Sequence, residues 1–215
     1  MDTSAIAVGD EPSGHAVIQV DDSGENSIII CAGTNAAITE KEVDAAIARM
    51  SPGDWLLVQN ETNAIPYMLE RGGAAGLHIA MNPAPMDPKV LDYPLEKVDL
   101  FFVNETEAAA LTGQEGEAAL REMERRWPKA IHVVTLGGDG SVCSAGGKRY
   151  SAPAKPVPVV DTTAAGDTYT GYFLAALMEG ADIETCMDRA TRASAITVSR
   201  QGAAPSIPTR DEVDG

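Results

Sequence analysis

The sequence predicts an α/β fold with a mostly parallel sheet covered on both faces, and three observations lead there. Apolar runs of strand length alternate with helical periodicities along the chain. The run Trp55-Leu56-Leu57-Val58 is continuously apolar, the mark of a strand buried on both faces. No internal repeat, low-complexity stretch or linker divides the 215 residues, which suffice for one sizeable core.

The elements follow in order. Val17–Val20 and Ser27–Ile30 flank Asp21–Asn26, whose Gly, Asn and Asp suit a turn, so a hairpin is expected. A helix starts at Thr39, with Glu42 three residues on as its capping-box partner. Val43, Ala46, Ile47 and Met50 keep one face apolar, and Pro52-Gly53 stops the helix. After the strand at Trp55, a short helix over Ala64–Arg71 ends at Gly72-Gly73 and leads to a strand at Gly76–Met81. Leu100–Val103 is a strand, followed by helices over Glu105–Leu111 and Glu115–Trp127. Ile131–Thr135 is a strand; Ser141–Ser144 and Lys148–Tyr150 form a hairpin across Gly146-Gly147. Val157–Val160 is extended, and helices follow over Asp167–Glu179 and Ile183–Ser199.

Composition excludes several function classes. Acidic residues outnumber basic ones, 32 to 16, and the formal net charge of -16 argues against nucleic-acid binding. An anionic substrate stays compatible, because local amides and a metal ion override a global charge. Cys31, Cys143 and Cys186 are scattered, with no CxxC pair, so neither a disulfide framework nor a zinc site is indicated. No apolar run spans a membrane and the opening residues lack a signal-peptide pattern, so a reducing cytoplasm is expected. No G-x-G-x-x-G follows an early strand and no GxxxxGK[ST] occurs, which disfavours nicotinamide and Walker-type nucleotide sites.

In parallel α/β sheets ligands bind beyond the carboxyl ends of the strands. Those stretches are Gln59–Glu61, Asn82–Pro85, Asn104–Glu107, Gly137–Gly140 and Asp161–Asp167, and they concentrate carboxylates and amides. The last one carries the chemistry. Val159–Thr168 reads as a strand, a small-residue turn and a helix start. Ala164, Ala165 and Gly166 let a phosphate approach backbone amides at the positive end of the helix, and Asp167 there can take a proton from an attacking hydroxyl. On spacing alone, a helix cap and a plain turn explain these residues equally well.

Asp161-Thr162-Thr163-Ala164-Ala165-Gly166-Asp167 matches the D-T-x-[GA]-[GA]-G-D signature and resembles the ribokinase-like, or PfkB, carbohydrate kinase family. The resemblance runs from about Thr3 to Val213. It implies a three-layer α/β/α sandwich with part of a small β lid, residues 15–34 being the lid remnant and 35–215 the nucleotide-binding core of one domain. It implies that Asp167 is the catalytic base, also touching substrate, and that Ala164, Ala165 and Gly166 form the anion hole. Asn104-Glu105-Thr106-Glu107 resembles the family's N-x-x-E element, which implies Asn104 at the nucleotide and Glu107 on Mg²⁺ through water. Thr135–Gly140 resembles the T-L-G-x-x-G turn, which implies nucleotide contacts from Thr135, Gly137 and Gly140; Thr191 is implied likewise. Ala195–Pro208 resembles the stretch beside a monovalent-cation site, which implies K⁺ held by Asp161, Thr163, Val198, Gly202 and Ser206. Glu61 corresponds to the residue facing sugar, beside the N-P-A-P turn Asn82–Pro85, and Gly33–Ala36 resembles a G-A-N-A stretch.

The resemblance therefore implies ATP-dependent phosphorylation of a sugar primary hydroxyl, D-ribose giving D-ribose 5-phosphate, with Mg²⁺ and K⁺. Family members carry an opening portion with an N-x-D element and a G-G-x-x-x-N loop for which this chain shows no counterpart, so an N-terminally incomplete kinase is expected. Another sugar or nucleoside kinase of the family, or an inactive nucleotide-binding remnant, are the alternatives. Pairing into a homodimer through the lid is a further implication.

Overall fold

A computed structural model describes residues 3–4, 6–9, 11–20 and 26–215. Contacts group the chain into two compact units, Met1–Val98 and Asp99–Gly215.

In the first unit, β1 (His15–Val20) pairs antiparallel with β2 (Asn26–Cys31), Val17 facing Ile29. The predicted hairpin is thus present, while residues 21–25 of its turn lie outside the described residues. Helix α1 (Glu40–Ile47) starts as its sequence dictates. The Glu42 carboxylate accepts from the Thr39 amide at 2.8 Å and Thr39 Oγ1 accepts from the Glu42 amide at 3.3 Å. Its apolar stripe, Val43 and Ile47, meets Leu77, Leu56, Met50 and Tyr67 in one core cluster.

β3 (Trp55–Gln59) runs parallel to β4 (His78–Asn82). The expectation that β3 is buried on both faces fails at Leu57, which is 42% exposed. Successive side chains point to opposite faces, so Leu56 and Val58 turn one way and Leu57 the other. Helix α2 (Ile65–Ala74) also departs from expectation, running through the Gly72-Gly73 pair that was predicted to end it. Gly72 serves close packing instead: a Cβ there would lie 2.9 Å from Leu56 Cδ2 and 3.3 Å from Ile79 Cδ1. The helix stops at Gly76, whose φ of +73° suits glycine.

The second unit contains β5 (Leu100–Asn104), β6 (Ile131–Thr135), β7 (Ser141–Ala145) and β8 (Lys148–Ala152). β5 and β6 are parallel; β7 and β8 follow antiparallel. Around them lie α3 (Glu105–Thr112), α4 (Gly116–Arg126), α5 (Ala165–Met178), α6 (Ile183–Val198) and α7 (Arg210–Asp214). Alternation along β5 explains the layering. Phe101 packs on Trp127, just past α4, with ring centroids 4.8 Å apart, whereas Phe102 meets the edge of Phe173 on α5 at 5.4 Å. Both phenylalanines are buried, so this strand has apolar cover on both faces.

Residues 157–160, expected as an extended strand, join no ladder among the described residues, and Val159 and Val160 are exposed. Pro156 and Pro158 lack amide hydrogens, and the amides of Val160 and Asp161 donate to the Val198 carbonyl, at 2.8 and 3.2 Å. Cys31, Cys143 and Cys186 are free thiols. Among the described residues no helix is long and apolar enough to cross a membrane.

Candidate functional site

Helix α5 organises the site. Its N-cap is Ala164, held in the left-handed region at φ 62° and ψ 10°, where a Cβ costs about 1–2 kcal/mol and glycine nothing. This bend brings the first turn of α5 to the end of an Asp161-anchored loop. Asp161 Oδ1 accepts from the Thr163 amide at 2.9 Å and Oδ2 from the Gly202 amide at 3.0 Å. Hydrogen bonds from Thr163, side chain foremost and then backbone, together with Gly202, hold the Asp161 carboxyl below the usual carboxylate range.

The opening amides of any α-helix lack intrahelical acceptors, and here they belong to Ala165, Gly166 and Asp167. The Ala165 amide donates to the Thr162 carbonyl at 3.2 Å, so it closes the turn. Asp167, third residue of α5, is exposed at this positive end of the helix.

Across from α5, β6 ends at Thr135 and the chain turns through Gly137–Asp139 to Gly140. Gly140 has φ 102° and ψ −128°, a conformation open essentially to glycine alone. A Cβ there would lie 2.1 Å from the Ala152 carbonyl oxygen and 2.6 Å from the Ala154 nitrogen. The Leu136 amide donates to the Gly140 carbonyl at 2.8 Å and closes the turn.

Between this turn and the helices lies a cleft of about 470 Å³. Thr135, Gly137 and Gly140 form one wall, Ala165, Gly166 and Tyr169 of α5 another, and Thr191 of α6 a third. The structure thus brings together most residues predicted for nucleotide and anion binding. Gly138, inside the predicted turn, lines the cleft as well, and sequence reasoning missed Ser194 and Tyr169, which also line it. Tyr169 stands two places after Asp167, and that proximity was the available signal.

Asn104 and Glu107 do not line that cleft. They form a capping box on α3: Asn104 Oδ1 accepts from the Glu107 amide at 2.8 Å, and Glu107 Oε2 accepts from the Asn104 amide at 2.9 Å. Asn104 pairs in register with Thr135, so this box sits beside the head of the glycine turn. Glu107 is buried, and desolvation raises its pKa against a smaller lowering by the Asn104 amide. A raised folded-state pKa means that the stabilising contribution is complete below the ordinary carboxylate range and is lost as pH rises through the folded value. Glu107→Gln keeps a side-chain acceptor without the buried charge. Its urea midpoint at pH 7 is therefore expected to match or exceed the wild-type one, with the difference closing near pH 4. A variant clearly less stable at pH 7 would contradict this.

Of the residues predicted around a cation, Asp161, Val198 and Gly202 are joined by the hydrogen bonds described. Ser206 is fully buried in a short turn, its hydroxyl donating to the Ala203 carbonyl at 2.6 Å. Among the described residues no cluster of three or more His, Cys, Asp or Glu could hold a metal.

Glu61 belongs to the first unit, exposed in the turn after β3. There Asn82 Oδ1 accepts from the Ala84 amide at 2.8 Å. Asn60, in the same stretch, is buried; its Nδ2 donates to the Pro85 carbonyl at 2.7 Å, and Tyr93 donates to its Oδ1 at 2.9 Å. The Asn82–Pro85 turn is thereby fastened to the end of β3.

Residues 2–210 match the pfkB family carbohydrate kinase model. The ribokinase of Haemophilus influenzae is 36% identical over 220 residues, covering 99% of this chain and 72% of that protein. Among solved structures, the ribokinase of Cryptococcus neoformans in complex with ADP aligns with a TM-score of 0.83 at 31% identity, covering 96% of this chain and 72% of that one. The Arabidopsis thaliana ribokinase complexed with ribose and ATP aligns with a TM-score of 0.80 at 29% identity, covering 95% and 69%. The α/β sandwich expected from the sequence is the fold of these neighbours.

Proposed function

Because the chain belongs to the pfkB family of carbohydrate kinases, we propose that it transfers the terminal phosphoryl group of ATP to a sugar primary hydroxyl, converting D-ribose to D-ribose 5-phosphate. One observation carries this reading: the glycine turn and the amide-rich start of α5 face one cleft, with Asp167 next in the chain. The similarity to ribokinases, one solved with ribose and ATP, supports the choice of acceptor.

Each residue then has a task. Thr135, Gly137, Gly140 and Thr191 bind the nucleotide, with Asn104 at the head of the turn. Ala164, Ala165 and Gly166 set the backbone around the transferred group, where amides aimed at developing charge need no reorganisation. Asp167 orients the sugar hydroxyl and accepts its proton as the oxygen attacks phosphorus. Glu61 binds the sugar. The two compact units are parts of one kinase domain.

Mg²⁺ is the cofactor we assign, with Glu107 holding it through water. Mg²⁺ usually takes one or two carboxylates, the substrate phosphates and waters, and Glu107, in the capping box beside the head of the glycine turn, is the carboxylate that would serve. When bound, it would supply positive charge that offsets the charge of the phosphates. K⁺ is assigned to the loop of Asp161, Thr163, Val198, Gly202 and Ser206, supported by the carboxylate and carbonyl oxygens that its hydrogen bonds hold in place. Exposed Val17 and Ile29, cross-strand partners on one hairpin face, support a homodimer. Buried free Cys143 and Cys186 support a reducing, cytoplasmic setting.

Purified protein is expected to release ADP from ATP with Mg²⁺ and K⁺ when D-ribose is present, and not without it. ATP binding with no sugar-dependent release would overturn phosphotransfer and leave a nucleotide-binding protein. Turnover with fructose or a nucleoside but not ribose would move the acceptor within the family.

A further inference from the structure

One buried contact joins the two walls of the cleft. Tyr169 OH and Ser141 Oγ are 2.8 Å apart, and both residues are nearly inaccessible, at 5% and 2% exposure. Their positions in the chain give the bond its meaning. Tyr169 lies two residues after Asp167, within the second turn of α5. Ser141 follows Gly140 directly, where the glycine turn hands the chain to β7.

Other hydrogen bonds hold α5 to α6. Thr197 Oγ1 donates to Thr168 Oγ1 at 3.1 Å, and Ser194 Oγ to the Ala165 carbonyl at 3.0 Å. Neither reaches the glycine turn. The Tyr169–Ser141 pair does tie the phosphate-facing helix to the opposite wall. It lies in a dry interior, where a hydroxyl pair strengthens and a broken one leaves an unsatisfied group. Burial pushes the Tyr169 phenol up to about 12, so it stays protonated at neutral pH.

We infer that Tyr169, through Ser141, is a positioning residue for the nucleotide: it sets the spacing between the glycine turn and the first turn of α5 before ATP arrives. Thr191, buried on the same cleft, lies against the Tyr169 hydroxyl as well and lowers its pKa, so the phenol sits at the meeting point of the glycine turn, α5 and α6. The inference rests on the kinase reading above. It goes beyond that reading by assigning part of the nucleotide affinity to a buried phenol held between the two walls.

Tyr169→Phe keeps the ring and its stacking on Phe173, 6.2 Å away, and removes only the hydroxyl. This variant, Ser141→Ala and the double variant are compared with wild type. The readouts are kcat, KM for ATP, KM for ribose, ATP affinity by calorimetry and Tm. Each single change is expected to weaken ATP binding about five- to tenfold, the scale of one buried hydrogen bond. kcat and the KM for ribose should stay within about twofold, since the reacting groups are unchanged. The double variant should be no worse than either single one, because both remove the same bond. ATP affinity within twofold of wild type in Tyr169→Phe, whether or not Tm falls, overturns the inference and leaves a stabilising contact only. Additive losses overturn it as well. A wild-type protein that binds ATP without turnover sinks phosphotransfer alone, since calorimetry still reads the variants; one that binds no ATP sinks both.

Discussion

Asp167→Asn is expected to lower kcat by about 10²–10⁴, the range that general-base assistance supplies. Asparagine has the same shape and still accepts a hydrogen bond, so the sugar hydroxyl keeps a partner but loses its proton acceptor. Affinity for ATP should hold or rise, because a negative charge leaves the neighbourhood of the phosphates. Folding should change little. A carboxylate in the first turn of a helix gains about 0.3–1 kcal/mol from the helix dipole, and the variant gives up that gain. The measurement is ribose-dependent ADP release beside a thermal melt. More than about a tenth of wild-type activity in a folded variant would remove Asp167 from the role of base and leave the carboxylate as a helix-end charge.

Gly140→Ala is expected to have the largest effect on the fold of the second unit. Two costs combine. The backbone conformation at φ 102° and ψ −128° strains an alanine by about 1–3 kcal/mol. The added methyl would lie 2.1 Å from one backbone atom and 2.6 Å from another, and backbone cannot move aside as a flexible side chain does. Overpacking of this kind adds about 1–3 kcal/mol. The sum, about 2–6 kcal/mol, is a large part of the stability of an ordinary domain. Urea unfolding should show a much lower midpoint, and the folded remainder should bind ATP poorly because the turn has shifted. Gly138→Ala is the control. Nothing lies within 4 Å of its added methyl, and it should unfold close to wild type. Equal stability of the two variants would disprove the strain at Gly140.

Local chemistry made much of this molecule readable. Thr39 and Glu42 announce α1 because a capping box is complete within four residues. The same device at Thr209 and Glu212 opens α7, and that signal lay in the sequence unused. Misreadings arose where one residue type serves two ends. Gly72-Gly73 looks like a helix stop, yet Gly72 is small so that α2 can lie on Leu56 and Ile79, which local sequence does not reveal. Val157–Val160 has strand composition, but its prolines cannot donate to a ladder. At the candidate site, the residues Asp161–Asp167 are contiguous, so their pattern was visible. The position of Thr191 came through resemblance alone, and the Tyr169–Ser141 bond spans 28 residues, beyond any local pattern.

The Asp161 carboxylate, which grips the amides of Thr163 and Gly202, also shapes the chain topologically. Its bond to Gly202 joins points 41 residues apart, closing a ring that contains all of α5 and α6. Ring closure of that length costs chain entropy once, and further contacts inside the ring then form at little extra entropic cost. The two helices that carry Asp167 and Thr191 therefore share a single base. The α5–α6 contacts, Thr197 to Thr168 and Ser194 to Ala165, form inside that ring, so the proposed base and a wall of the cleft belong to one closed stretch of chain.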